Sequence, residues 1–542
     1  MPPPAPAPVS EASALIERAH TAWLAYRSFS QSQVDAIVGA MAAAATANAE
    51  RLAALAVEET TYGKVADKTR KNRFASEKVY AAIRSMPTVG FLRQDRERGI
   101  VELGTPVGVV AAVLPCTNPT STAIYKILIA LKAGNAIVLS PHPAAMRCIC
   151  DTVSLMRQAA LAQGAPDGLI GCFSTPTREG TNELMTHPRT RVILATGGMG
   201  IVRAAYSSGK PAFGVGPGNV PAFIDVSADL PQAVEHVLFG KSFDWGTICS
   251  SEQSIVAEAR LREPILAELQ RKGAYLLTPD ETARLGALLI QGENFTVNPA
   301  CVGQSPQKLA ALAGFESKVG PDVRVLAAEL DGMGKQHPLS AEKLSPVLAL
   351  FFLPDREAAL KRCSDLLHFG GLGHTCVIHA TDEAIIREYG ARMPAFRVVV
   401  NTPSPLGSIG ATTNLFPAMT LGCGAVGGNI TSDNIGPQHL MNIKRIAWPA
   451  SEKRASEEGP SAPGDAPLRQ AIEKALAERG IVAQPAFTPP PVAPKPTAVA
   501  FVCEADVRDA IKKNQKIPIG PRTLITPAAR DLGNERDMFT PT

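Results

Sequence analysis

The sequence predicts an α/β protein of two or three domains, and three observations carry that expectation. The 542 residues are more than one hydrophobic core organises. From residue 102 onward, short apolar runs alternate with stretches whose apolar residues recur every three or four positions. Caps and glycines fall at the junctions. Strands alternating with helices imply a parallel sheet covered on both faces, which binds ligands at the carboxyl ends of its strands.

Residues 11–85 read as helices: "EASALIERAHTAWLAYRSF" and "QSQVDAIVGAMAAAATANAERLAALAVEETTYG" carry helical apolar spacing, and Gly63 marks a stop. "GVVAAVLP" is a buried strand. "TSTAIYKILIALKAG" follows as a helix, with Thr120 or Ser121 as cap and Gly134 past its end. Strand "AIVLSP", a helix ending at Gly164, strand "LIGCFS", a short helix around 182–185, strand "RVILATG", a helix over 198–208 and strand "PAFGVG" continue the alternation. A second mixed region spans 228–420, with strand-rich stretches from "PVLALFFL" to "TCVIHA".

The tail differs. "SEKRASEEGPSAPGDA" and the proline-stiffened "AQPAFTPPPVAPKP" read as linkers. Between them, Leu468, Ile472 and Leu476 fall on one helical stripe. Thr526 and Pro527 look like the cap and first position of a last helix.

A formal net charge of +4 over so long a chain argues against nucleic acid or a membrane surface as partner. No apolar run reaches spanning length, and the N-terminus has no signal-peptide pattern. Ten scattered cysteines form no CxxC pair, so no zinc site and no disulfide framework is expected; a reducing cytoplasm fits best.

One cysteine stands apart. Cys249 lies in "SFDWGTICSSEQS", a polar stretch flanked by Gly and Ser, where a thiol can be reached. Around it, four motifs stand in an order that resembles the aldehyde dehydrogenase superfamily, from the N-terminal helices to about Pro449. "GTICSSEQS" resembles the nucleophile segment. "VLPCTNPTSTAIYKILIALKAGNAIVLSPHPAA" resembles the first nucleotide-binding strand, helix and strand. "ILATGGMG" matches the Gly-rich turn beside the cofactor phosphates, and "EKLSPVL" the segment whose glutamate holds the nicotinamide ribose.

The resemblance implies an aldehyde dehydrogenase fold. Residues 1–227 would be the N-terminal helices and a Rossmann-like NAD-binding domain, and 228–420 the catalytic domain. Residues 421–449 would form a small oligomerisation element, and 450–542 a flexible tail. It implies Cys249 as nucleophile and Asn118 as oxyanion donor. It also implies a cofactor-binding set of Pro115, Thr117, Ser140, His142, Thr196, Gly197, Gly198, Gly216, Gly218 and Glu342. A thiolate would add to an aldehyde, hydride would leave to the nicotinamide, and a thioester would remain. His374, in "GLGHTC", is the best remaining proton acceptor, with a hydrogen-bonded structural histidine as the alternative.

Two departures refine the reading. Hydrolytic members place a water-activating glutamate where this chain has Val215, in "GVGPGNVP". Valine takes no proton, so the thioester should wait for a thiol, and coenzyme A is the common cellular one. "GVGPGN" and the block from "VVVNTPSPLGSIG" to "MNIKRIA" resemble the CoA-acylating branch. Second, the family's adenine-ribose lysine is missing, and Ser140 and His142 stand nearby; NAD is implied, with NADP the alternative.

"PLRQAIEKALAERGI" resembles the helices that direct cargo into bacterial microcompartments, so 467–481 is a candidate encapsulation helix with a shell protein as partner. The resulting expectation is a homo-dimer or homo-tetramer, cytoplasmic within a microcompartment. It would oxidise propionaldehyde or acetaldehyde to acyl-CoA with NAD, without a metal. The rivals are a hydrolytic aldehyde dehydrogenase and a non-catalytic shell-binding assembly protein.

Overall fold

The structure, a computed structural model, describes residues 10–292, 295–449, 499–513, 515–521 and 523–541. The candidate encapsulation helix over 467–481 lies outside the described residues. The chain divides into two compact units, Met1–Glu452 and Lys453–Thr542.

In the first unit, strands β1 (Gly90–Asp95) and β2 (Ile100–Pro106) form an exposed hairpin. Strands β3 (Val109–Val113), β4 (Ala136–Ser140), β5 (Ile170–Cys172), β6 (Thr190–Thr196) and β7 (Ala212–Val215) build a parallel sheet in the order β5-β4-β3-β6-β7. The order turns back at β3, so the crevice of this sheet opens beyond the carboxyl ends of β3 and β6. Helix Pro119–Lys132 starts at Asn118, with Pro119 at its first position, earlier than the Thr120 or Ser121 cap expected from sequence. The N-terminal helices Glu11–Tyr26 and Gln31–Ala47 place Ile16, Val34, Ile37 and Met41 in the core of this sheet.

Strands β8 (Val220–Ile224), β9 (Glu252–Glu258) and β10 (Ala274–Leu276) begin a second sheet. After the short hairpin β11 (Ile290–Gln291) and β12 (Thr296–Val297), it is completed by β13 (Val325–Glu329), β14 (Val347–Leu353), β15 (Cys376–His379) and β16 (Val398–Val400). All seven of its strands are parallel, in the order β10-β13-β14-β9-β8-β15-β16. The chain crosses between sheets at 216–219, ahead of the boundary expected at 227. The two-residue period of a strand sorts the second sheet's side chains cleanly. Val347, Ala349 and Phe351 enter the core on one face, Leu348 and Leu350 the core on the other. Near the end of the unit, β17 (Met441–Ala447) returns to pair with β2.

The second unit repeats one motif. Phe501–Val502, helix Glu504–Lys513 and Ile517–Ile519 form a strand-helix-strand, and Leu524–Ile525, helix Pro527–Glu535 and Phe539–Pro541 form another. Like strands pair in parallel. Thr526 caps the second helix through the Ala529 N–H. Val502, Val507, Ile517, Ala529 and Met538 make a core of their own.

Candidate active site

The site forms where the carboxyl edge of the first sheet faces the amino edge of the second. The carboxyl ends of β3, β4, β6 and β7 and the residues that follow them supply Pro115, Thr117, Asn118, Ser140, His142, Thr196, Gly197, Gly198, Val215 and Gly216. The residues before β9 and β14 supply Cys249 and Glu342. Together they line a cleft of about 710 Å³, large enough for a dinucleotide. Gly218 and His374 belong to the same place, before β8 and β15. The strand-end rule therefore describes the first sheet alone; Cys249 comes from the opposite kind of edge.

Cys249 is presented by a strained turn. Asp244, Trp245 and Gly246 all have left-handed backbone, with φ of 47°, 51° and 73°, which costs about 1–3 kcal/mol for each non-glycine residue. Asp244 holds the turn. Its buried carboxylate accepts from Lys68 Nζ at 3.0 Å, the Lys64 N–H at 2.7 Å and Thr247 Oγ1 at 2.6 Å, and pairs with Lys71. On the other side, a side chain at Gly218 would stand 2.2 Å from the Cys249 carbonyl oxygen. Only glycine lets the crossing between sheets pass this close to Cys249.

The Cys249 thiol is half-buried, and His374 Nε2 lies 3.2 Å from its Sγ. Burial first, then the facing Glu342 carboxylate, pushes the thiol's pKa up to about 12. Burial and the adjacent Arg397 cation push His374 down to about 3. The pair is therefore a neutral thiol and a neutral imidazole. His374 Nδ1 meets Thr375 Oγ1 at 3.0 Å, and Thr375 Oγ1 accepts from Arg397 Nε at 3.4 Å. Arg397 is buried and also donates to the carbonyls of His374 at 2.6 Å and Gly422 at 2.5 Å. It fixes the histidine loop against the 421–424 segment.

Asn118 is fixed from the opposite side. Its Oδ1 accepts from Lys71 Nζ at 2.5 Å, which turns Nδ2 toward the Cys249 loop. Nδ2 donates to Thr247 O and to Thr117 Oγ1, each at 3.2 Å. To serve an oxyanion, the amide would exchange its Thr117 contact for the stronger charged acceptor. Lys71 and Arg397 carried no motif signal. A buried, hydrogen-bonded cation beside a recognised motif becomes visible only in three dimensions.

Glu342 Oε1 accepts from the Gly218 N–H at 3.0 Å, and burial raises its carboxyl to about 7. Thr196 Oγ1 is buried in the cleft with no hydrogen-bond partner among the described residues. Gly198 and Gly200 leave open space at the start of helix Met199–Tyr206. An unsatisfied hydroxyl and a bare helix N-terminus suit a ligand with hydroxyl and phosphate groups.

The profile of the aldehyde dehydrogenase family matches residues 5–410. The bifunctional aldehyde-alcohol dehydrogenase of Escherichia coli K12 is 43% identical over 81% of this chain and 49% of its own length. The chain thus spans about half the length of such aldehyde-alcohol dehydrogenases. An acetylating aldehyde dehydrogenase structure from Geobacillus thermoglucosidasius shares 49% identity at a TM-score of 0.80, over 82% of this chain and 97% of that one. Two propionaldehyde dehydrogenase structures share 28% identity at a TM-score of 0.73. One is from a Clostridium phytofermentans fucose-utilisation microcompartment, covering 81% of this chain and 98% of that one. The other, from Rhodopseudomonas palustris with bound CoA and an acylated cysteine, covers 81% and 97%.

Proposed function

The chain belongs to the aldehyde dehydrogenase family, and from that premise we propose that it oxidises a short aldehyde to an acyl-CoA with reduction of a nicotinamide dinucleotide. The observation that carries the reading is the contact of His374 Nε2 with Cys249 Sγ, 3.2 Å apart, beside a cleft that Val215 lines with no proton-accepting group.

Cys249 is the nucleophile. Because the thiol's pKa lies high and His374 is neutral, the proton passes from Sγ to Nε2 as sulfur attacks the aldehyde carbon. Asn118 Nδ2 and the Cys249 N–H take the negative charge that grows on oxygen. Thr196, Gly198 and the cleft walls would hold the dinucleotide, with Glu342 at its nicotinamide ribose; that cofactor supplies the hydride acceptor. The acyl group is left on Cys249 as a thioester. Val215 activates no water, and His374, once its low pKa has released the first proton to solvent, is placed to accept the thiol proton of coenzyme A. The relatives solved as an acetylating enzyme and with bound CoA support this acceptor.

NAD is the proposed dinucleotide, and propionaldehyde and acetaldehyde are the first substrates to test. The exposed β1-β2-β17 sheet, with Phe91, Ile443 and Ile446 on its surface, supports a homo-dimer or homo-tetramer. The tail is proposed as the attachment to a microcompartment shell, supported by the relative from such a compartment. Among the described residues, no helix is long and apolar enough to cross a membrane.

The test is NADH formation from propionaldehyde with and without CoA. Steady turnover only with CoA, after at most a single-turnover burst without it, is expected. Steady turnover without CoA would mean that water reaches the thioester and would overturn the acylating reading.

A further inference from the structure

A second cavity, of about 480 Å³, stands beside the first. Helix Val65–Arg73 and the turn after it form one wall; Phe243, Leu406 and Ile409 form the other. It backs onto the nucleophile. Phe243 and Leu406 pack on Ile248, the residue before Cys249. Lys71 lines the cavity and reaches through to Asn118 Oδ1 at 2.5 Å. The large cleft is claimed by the dinucleotide during oxidation, so an aldehyde needs its own approach to Cys249. This cavity, whose walls pack on Ile248 and reach Asn118 through Lys71, is placed to give it.

Its floor is apolar and its rim is basic. Arg70, Arg73 and Lys78 line it against one carboxylate, Glu77. No ion pair between these groups occurs among the described residues. Arg70 lies over the rings of Phe239 and Phe243, 5.7 and 5.9 Å from their centroids, which aims a guanidinium along the cavity wall. Lys78 is spent on the Ala411 carbonyl at 3.2 Å. Arg73 is exposed and makes no side-chain hydrogen bond or ion pair among the described residues. Acetaldehyde and propionaldehyde offer such a rim nothing. An aldehyde with an anionic end would lay its chain on Phe243 and Leu406, its carbonyl toward Cys249 and its charge at the two arginines.

Resting on the functional reading above, we infer that the aldehyde taken by this site carries a carboxylate or sulfonate at the end away from its carbonyl, received by Arg73 and Arg70. The two arginines set specificity. The chemistry at Cys249 is unchanged.

The test compares kcat/KM for CoA-dependent NADH formation by the full chain with succinic semialdehyde and sulfoacetaldehyde against butyraldehyde and propionaldehyde. Wild type is expected to favour the anionic aldehydes, and the preference should shrink as salt is raised. Arg73→Gln and Arg70→Gln should each lower the anionic-to-neutral ratio by about fivefold, and Arg73→Lys should restore part of it. A wild-type preference for neutral aldehydes, or a ratio that neither variant changes, would overturn the inference and leave the acylating reading standing. Absence of CoA-dependent turnover with every aldehyde would instead overturn the functional reading, and this inference with it.

Discussion

At the scale of single residues, the site depends on neutral partners. A thiol raised to about 12 and a histidine lowered to about 3 do not form an ion pair at neutral pH. Alkylation of Cys249 by iodoacetamide in the free enzyme should therefore climb about tenfold per pH unit from pH 6 to 9 without a plateau, because the raised pKa keeps thiolate scarce throughout. His374→Ala should change that alkylation rate by less than about twofold, yet lower aldehyde turnover by about 10²–10⁴ as the general base is lost. A plateau near neutrality, erased by the variant, would reveal an ion pair instead. Asn118 gives a second case. Asn118→Ala should cost about 10²–10³ in kcat. Lys71 acts through that amide, so Lys71→Met should lower kcat in the wild-type background but add little to Asn118→Ala; independent effects that multiply would show that Lys71 does not position Asn118.

At the scale of elements, much was legible and the exceptions have physical causes. Helices and strands of the first sheet declared themselves through period and punctuation: Gly134 and Gly164 both follow helices with left-handed backbone. Cys249 and Asn118 stood out because their motifs are local. Arg397 and Lys71 did not, because their partners lie far away in sequence, and a buried cation reads like a surface one in a string of letters. The same holds for Glu252 at the start of β9. Its Oε1 accepts from the Ser404 N–H at 2.6 Å, its Oε2 has no hydrogen-bond partner among the described residues, and burial raises the carboxyl to about 8. The unfolded chain releases that proton near pH 4.5, while the folded chain keeps it to about pH 8. The folded state thus binds more protons across this window, and stability falls as pH rises through it. Glu252→Gln keeps an acceptor for Ser404 and nothing to ionise. Between pH 5 and 7, denaturant unfolding should show the variant gaining on wild type by up to about 1.4 kcal/mol per pH unit. A difference independent of pH would mean that Glu252 ionises normally.

At the scale of the whole molecule, the first unit contains everything the proposed chemistry needs. Each residue of the cleft falls between Tyr62 and His374, and the last strand of that unit ends at Ala447. The second unit has its own core, built from a strand-helix-strand that occurs twice. Sequence reading found the second helix of that repeat from its Thr526 cap but treated the region as tail. Its strands are two or three residues long, too short for an alternation to register. Separate cores predict separable functions. A chain ending at Glu452 should keep CoA-dependent kcat within about twofold, since every residue that lines the cleft belongs to the first unit and the second has a core of its own. If residues 453–542 attach the enzyme to a shell, fusing them to an unrelated reporter should carry the reporter into microcompartments, and the shortened enzyme should remain outside. A shortened chain that loses its turnover would show that the tail is part of the catalyst, whereas a reporter left outside the compartment would return the tail to the enzyme as a structural appendage.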